Sequence, residues 1–309
     1  MFVMWNDALY RQTVYLVFGT MLAIGLPLFF LRNKNSQFQA GWASLKSWVF
    51  AAPILVGLLG LSSPWPLIVL TLLSIFCAKI FFQMMGMYHR SNFVWATYIG
   101  IILLAVCIQF DLQALYQLGP MIFLGFICFI PILRDSAKHM IQYLSLTLVA
   151  FSFLGWALLH LGWLMKLDHG PYLVLYIIIL TEVYDNMYIA LSRRFGKIKI
   201  FHRINPKRNL ESFLVACVLT FALAWAMRHL LPERSEIFWM ASAFVACFAG
   251  SLGDLTLSVI RRDLGIKDAG AFIIGRGDLL TVIDRLLFVA PIYYYVMSYM
   301  LKLFEQGRL

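Results

Sequence analysis

Apolar runs long enough to cross a bilayer recur along nearly the whole chain, and this constrains the fold more than any other feature. A span needs roughly 20 mostly apolar residues. Ten candidates fall near residues 12–31, 45–61, 66–84, 93–110, 114–133, 140–163, 170–190, 209–230, 236–260 and 279–301. Only 13% of residues are charged, against roughly 25% in a soluble domain. A soluble protein with a large core is therefore excluded. The chain reads as an all-α polytopic membrane protein with about ten transmembrane helices. The run at 45–61 is short and holds Pro53, and the run at 114–133 holds Pro120 and Pro131. If either is re-entrant or broken, the number is nine.

Lys and Arg distribution sets orientation. With the N-terminus outside, seventeen of these residues fall in inside loops and six in outside segments. Both termini are then expected outside, with basic clusters at 191–208 and 261–278 in the cytoplasm. The formal net charge of +10 follows from this topology and from anionic lipid headgroups, so nucleic acid is not an expected partner. The five cysteines sit singly in apolar runs without a CxxC spacing, as small buried hydrophobes.

Charge placement divides the chain. Residues 1–169 read as N-terminal transmembrane helices with almost no ionisable group at membrane depth, Lys79 excepted. Residues 170–309 read as a C-terminal catalytic half. There Glu182, Asp185, Glu211, Asp254 and Asp284 gather near helix ends beside the basic loops. Charge near a bilayer is costly and persists where it binds an ion, a substrate or a partner charge.

Two stretches carry the chemistry. Gly253–Asp284 reads GDLTLSVIRRDLGIKDAGAFIIGRGDLLTVID and mixes acids with Arg261, Arg262, Lys267 and Arg276. Such a mixture suits a site holding a metal and a phosphorylated substrate together. Thr181–Ser212 reads TEVYDNMYIALSRRFGKIKIFHRINPKRNLES. Pro206 reads as a helix start, with Asn205 as its N-cap. A loop of cations opposite a helix N-terminus can cradle phosphate. On charge count alone, a plain positive-inside loop explains that segment better.

These stretches resemble the phosphatidate cytidylyltransferases, also called CDP-diacylglycerol synthases. The first motif of that family runs D-x-x-x-Y-x-x-x-x-x-F-G-K-x-K and then I-S-P-x-K-T-x-E-G. Asp185, Phe195, Gly196, Lys197, Lys199, Ile204, Pro206 and Glu211 match it, Tyr188 lies one residue before the motif's Tyr position, and Asn205, Asn209 and Ser212 depart. The family signature runs G-D-L-x-E-S-x-I-K-R-x-x-x-x-K-D-x-G-x-x-x-P-G-H-G-G-x-x-D-R-x-D. Gly253, Asp254, Leu255, Ser258, Ile260, Arg262, Lys267, Asp268, Gly270, Gly275, Gly277 and Asp284 match, and Arg261 stands for Lys. Leu257, Ile274, Arg276 and Asp278 depart. Thr281 and Val282 occupy the first two positions of D-R-x-D. The resemblance covers roughly residues 175–290.

The resemblance implies a CTP:phosphatidate cytidylyltransferase of a bacterial inner membrane. Its active site would face the cytoplasm, and it would form CDP-diacylglycerol and pyrophosphate with Mg²⁺. It also implies a homodimer. Asp254, with Asp278 or Asp284, would hold the metal. Asp278 would replace the carboxylate lost at Thr281 if that stretch is helical, because the two then lie one turn apart. Arg193, Lys197, Lys199 and Lys207 would hold phosphates from one side, and Ser258, Arg261, Arg262, Lys267 and Arg276 from the other. Asp185 and Asp268 would orient cations or bind a second ion. The degenerate D-R-x-D also supports an alternative, a silent or repurposed homologue that binds a lipid or a partner protein. A transporter reading, from Glu182 and Asp185, is weaker, because transporter sites lie near the bilayer midplane.

Overall fold

The architecture is that of a computed structural model. It describes residues 4–34, 36–133, 135, 139–195, 198–201, 205–232, 236–263, 273–274, 277–278, 280 and 283–307. The protein is an all-α polytopic membrane protein. Helix α1 (Ala8–Leu31) begins at Asp7, whose carboxylate accepts from the Leu9 amide at 3.0 Å. It packs on α2 (Ser36–Leu59), where Tyr10 donates to the Val56 carbonyl. α2 continues through Pro53, so this segment is one helix and is not broken.

Helices α3 (Trp65–Met84) and α4 (Ser91–Gln109) follow as an adjacent pair. The run expected at 114–133 divides into a short α5 (Gln113–Gln117) and α6 (Gly119–Leu133), with the break ahead of Pro120. Proline lacks the amide that would continue a helix. The next segment spans Met140–Leu164. It comprises α7 (Met140–Ala150), a π-helical stretch (Phe151–Ala157) and α8 (Leu158–Leu164). Phe151 of the π stretch stacks on Phe123 of α6 with ring centroids 3.8 Å apart.

The remaining helices build the site. They are α9 (Gly170–Phe195), α10 (Leu210–Ala226), α11 (Glu236–Asp263) and α12 (Leu286–Glu305). α9 packs on α10 and α11, and α11 packs on α12. Seven helices are long and apolar enough to cross a membrane among the described residues, and α6 and α10 are shorter apolar helices. Large apolar side chains face outward along them, such as Leu22, Phe129 and Val218. In water that would be a liability, whereas in lipid it is the expected outer face.

Two short hairpins interrupt the helical pattern. β1 (Lys199–Phe201) pairs antiparallel with β2 (Asn205–Asn209), and β3 (Ile273–Ile274) pairs with β4 (Gly277–Asp278). The helix expected from Pro206 therefore does not start there. The chain stays extended through Asn209, and Asn209, not Asn205, caps α10 by accepting from the Ser212 amide at 3.2 Å. Asp278 lies in β4 opposite Ile273, while Thr281, for which it is expected to substitute, lies outside the described residues.

Candidate active site

The site forms where α9, α11, the turn before α12 and β2 converge. Glu182 and Asp185, three residues apart, share a face of α9. Asp185 lies ten residues before the end of that helix, about 15 Å along its axis. Asp254 lies nine residues before the end of α11, about 14 Å from it. The centre is thus sunk below both helix ends. Asp284 and Arg285 come from the turn that precedes α12. The first hairpin folds back over the helices and delivers Asn205 and Arg208 from β2.

Opposite charges alternate through this centre. Arg285 Nη1 lies 2.9 Å from Glu182 Oε1, and its Nη2 lies 2.8 Å from Asp185 Oδ2. Asp185 Oδ1 is 3.8 Å from Arg208 Nη2, which in turn lies 2.6 Å from Asp254 Oδ2. Trp48 of α2 donates to Glu182 Oε2 at 3.3 Å, and Asn205 Nδ2 donates to Asp254 Oδ2 at 3.3 Å. Glu182, Asp185, Arg208, Asp284 and Arg285 are all buried. Charges taken from water hold only when paired with good geometry, and here Arg208 meets two carboxylates and Arg285 three, with its Nε 3.6 Å from Asp284 Oδ1.

Aromatic and small residues hold the arginine of β2. The Arg208 guanidinium lies over the Tyr188 ring at 4.4 Å, and its Nη1 is 3.4 Å from Ser251 Oγ. Ser251 also pairs with the Tyr184 hydroxyl at 2.8 Å. Tyr188 accepts from the Asn209 amide at 2.9 Å, which fixes the end of β2 against α9. Burial works against the charge on Arg208, but Asp254 and Asp185 outweigh it and raise its pKa above the ordinary value.

Gly253 makes the convergence possible. A Cβ at that position would stand 2.1 Å from the Asp284 carbonyl oxygen and 2.8 Å from the Arg285 Cα. Both are backbone atoms and cannot swing aside. The glycine before Asp254 is therefore a close-approach position. It brings the backbone of α11 against the 284–285 turn, so that Asp254 and Asp284 belong to one centre.

The sequence-derived residues distribute as follows. Asp185, Asp254 and Asp284 come together. Ser258 is half-buried one turn beyond Asp254, Arg261 is half-buried at the end of α11, and Arg262 and Lys199 are exposed. The side chains of Arg193, Lys207 and Asp278, and all of Lys197, Lys267, Asp268, Arg276, Thr281 and Val282, lie outside the described residues. Asn209 Oδ1 already takes the Ser212 amide, and Glu211 places negative charge in the first turn, where it accepts from the Ile198 amide.

Sequence reasoning missed the partners. Glu182 and Arg285 were visible as charges of opposite sign in apolar surroundings, which is itself a pairing signal. Arg208 was hidden in a basic cluster that topology alone explains.

Among the described residues no three carboxylate, histidine or cysteine side chains form a ready-made metal cage. Magnesium does not need one, since it usually takes one or two carboxylates and completes its shell with water and substrate phosphates. Asp284 Oδ1 is buried and has no hydrogen-bond partner among the described residues. Asp254 keeps 19% of its side chain exposed. A buried carboxylate oxygen without a hydrogen bond and a partly exposed carboxylate are donors of the type a hard divalent cation would take.

Fold and site together define a multi-pass, all-α membrane protein with a sunken acid–guanidinium centre built on its C-terminal helices. Within that class the chain belongs to the Cytidylyltransferase family, which matches residues 42–300. The match begins well before the two motifs. The chain is 30% identical over 161 residues to the uncharacterized protein YnbB of Escherichia coli, covering 49% of this chain and 54% of that one. It is 33% identical over 135 residues to a phosphatidate cytidylyltransferase of Thermotoga maritima, covering 42% and 50%. It is 29% identical over 138 residues to a phosphatidate cytidylyltransferase of Haemophilus influenzae, covering 43% and 48%. The matched part thus spans about half the length of these curated relatives.

Proposed function

We propose that this protein transfers a cytidylyl group from CTP to phosphatidate, giving CDP-diacylglycerol and pyrophosphate. The site would face the cytoplasm of a bacterial inner membrane, in a homodimer. The observation that carries the reading is the acid–guanidinium centre, in a chain that belongs to the Cytidylyltransferase family. A phosphate oxygen of phosphatidate attacks the α-phosphorus of CTP, and the bond from that phosphorus to the pyrophosphate oxygen breaks. Such a transfer needs two anions brought together and their charge neutralised.

The residues divide that work. Asp254 and Asp284 would hold Mg²⁺, which supplies Lewis-acid charge to phosphate oxygens. Arg208, rigid on Tyr188 and Ser251, presents a planar fork that matches a phosphate. Lys199, Arg261 and Arg262 ring the approach and attract the triphosphate. The depth of the centre keeps the acyl chains of the lipid in the bilayer while its phosphate reaches the acids.

One observation favours a second reading, a silent homologue. Arg208 and Arg285 are each already paired with carboxylates, as they would be in a purely structural network. The deciding experiment is purified protein with labelled CTP, phosphatidate and Mg²⁺, scored for CDP-diacylglycerol. Its formation supports the enzyme. Its absence in folded protein, together with retained binding of phosphatidate vesicles, supports the silent homologue.

A further inference from the structure

Among the described residues, two guanidinium groups pair with the four carboxylates of the centre. Glu182, Asp185, Asp254 and Asp284 face Arg208 and Arg285. The guanidinium of Arg285 is committed to one side of the cluster. Its two terminal nitrogens bind Glu182 and Asp185 at 2.9 and 2.8 Å, while its Nε stays 3.6 Å from Asp284 Oδ1. That leaves the buried Asp284 Oδ1 without a hydrogen-bond partner among the described residues. The open carboxylate oxygen therefore lies at Asp284, away from Glu182.

We propose that Arg285 is a resident counter-cation that saturates Glu182 and Asp185, so that the centre takes a single divalent cation, between Asp254 and Asp284. The inference rests on the metal-dependent reading above and deepens it. The motif that the chain resembles has an arginine where this chain has Val282, and here a cation enters the centre from position 285 instead. A tethered guanidinium is always charged and has no acceptor. It keeps both acids ion-paired regardless of metal supply, which a second exchangeable ion would not.

The test counts ions directly. Purified protein in nanodiscs of neutral phosphatidylcholine, without nucleotide, is titrated with Mn²⁺, and free Mn²⁺ is read by electron paramagnetic resonance. The wild type should bind one Mn²⁺ per chain. Arg285→Gln, which removes the cation shared by Glu182 and Asp185, should bind two. The double change Glu182→Gln with Arg285→Gln restores the net charge and should bind one, with affinity within about threefold of wild type. It also serves if the single variant fails to fold, because it removes the pair as a unit. Two ions or none in the wild type overturns the proposal, as does one ion in folded Arg285→Gln, or two or none in the double variant. Failure of the function reads differently: a wild type that binds one Mn²⁺ but forms no CDP-diacylglycerol.

Discussion

Gly253→Ala tests whether the close approach of α11 to the 284–285 turn governs the centre. An alanine Cβ would stand 2.1 Å from the Asp284 carbonyl oxygen, where ordinary contacts begin at 3.4 Å. Relief therefore requires the two backbones to part by about 1 Å, because overpacked atoms held by main chain cannot repack locally. Overpacking of this kind costs about 1–3 kcal/mol. Displacing one reacting group by about 1 Å can cost about 10²-fold in rate. Gly250→Ala, one turn earlier in the same helix, is the control. Its Cβ would meet Thr181 Cγ2 at 3.4 Å and Val289 Cγ2 at 3.8 Å, both ordinary contacts. It should be neutral, or stabilising by up to about 1 kcal/mol from helix propensity. Cytidylyl transfer and thermal unfolding, measured on both variants, provide the comparison. If Gly253→Ala matches Gly250→Ala in melting temperature and turnover, the contact does not hold the centre together and the reasoning fails.

Asp254→Asn should abolish CDP-diacylglycerol formation while the protein still elutes as a folded species, since an amide is a poor ligand for a hard cation; full turnover would remove Asp254 from the metal site. Asn209→Ala should lower stability by about 0.5–2 kcal/mol through loss of the α10 cap, read as a fall in melting temperature. Cysteines placed at Lys197 and Lys267 should resist an impermeant reagent added to intact cells, and labelling at either would reverse the proposed orientation. At the opposite end of the bundle, the Tyr172 hydroxyl donates to Asp7 and holds its carboxyl below the usual carboxylate range. A depressed folded pKa contributes stability above the unfolded value, near 4, that is lost as pH falls. Wild-type melting temperature should therefore drop more steeply below about pH 4 than that of Asp7→Asn, and parallel acid limbs would show that the contact adds nothing.

Much of this protein follows from local pattern. A run of about 20 apolar residues can bury its backbone polar groups only by forming a helix in lipid, so the spans at 12–31, 66–84 and 170–190 were legible without a partner. The acids of the centre were legible as well, because charge in such surroundings is costly enough to stand out. Boundaries that depend on competition between local signals were not. Pro206 suggested a helix start, but strand pairing of Lys199 with Asn209 and Phe201 with Asn205 kept the segment extended and moved the cap to Asn209. Asp278 likewise lies in a strand paired with Ile273. Counter-ion choice was hidden altogether. Glu182 and Arg285 are 103 residues apart, and Arg208 and Asp254 lie on different elements. Which guanidinium meets which carboxylate is decided when α9, α11 and the last turn pack, and that packing turns on one missing side chain at Gly253. Sequence determines which charges must be compensated, because burying them alone is too costly. Only the tertiary structure decides with what, because ion pairing depends on separations of a few ångströms that spacing along the chain does not encode.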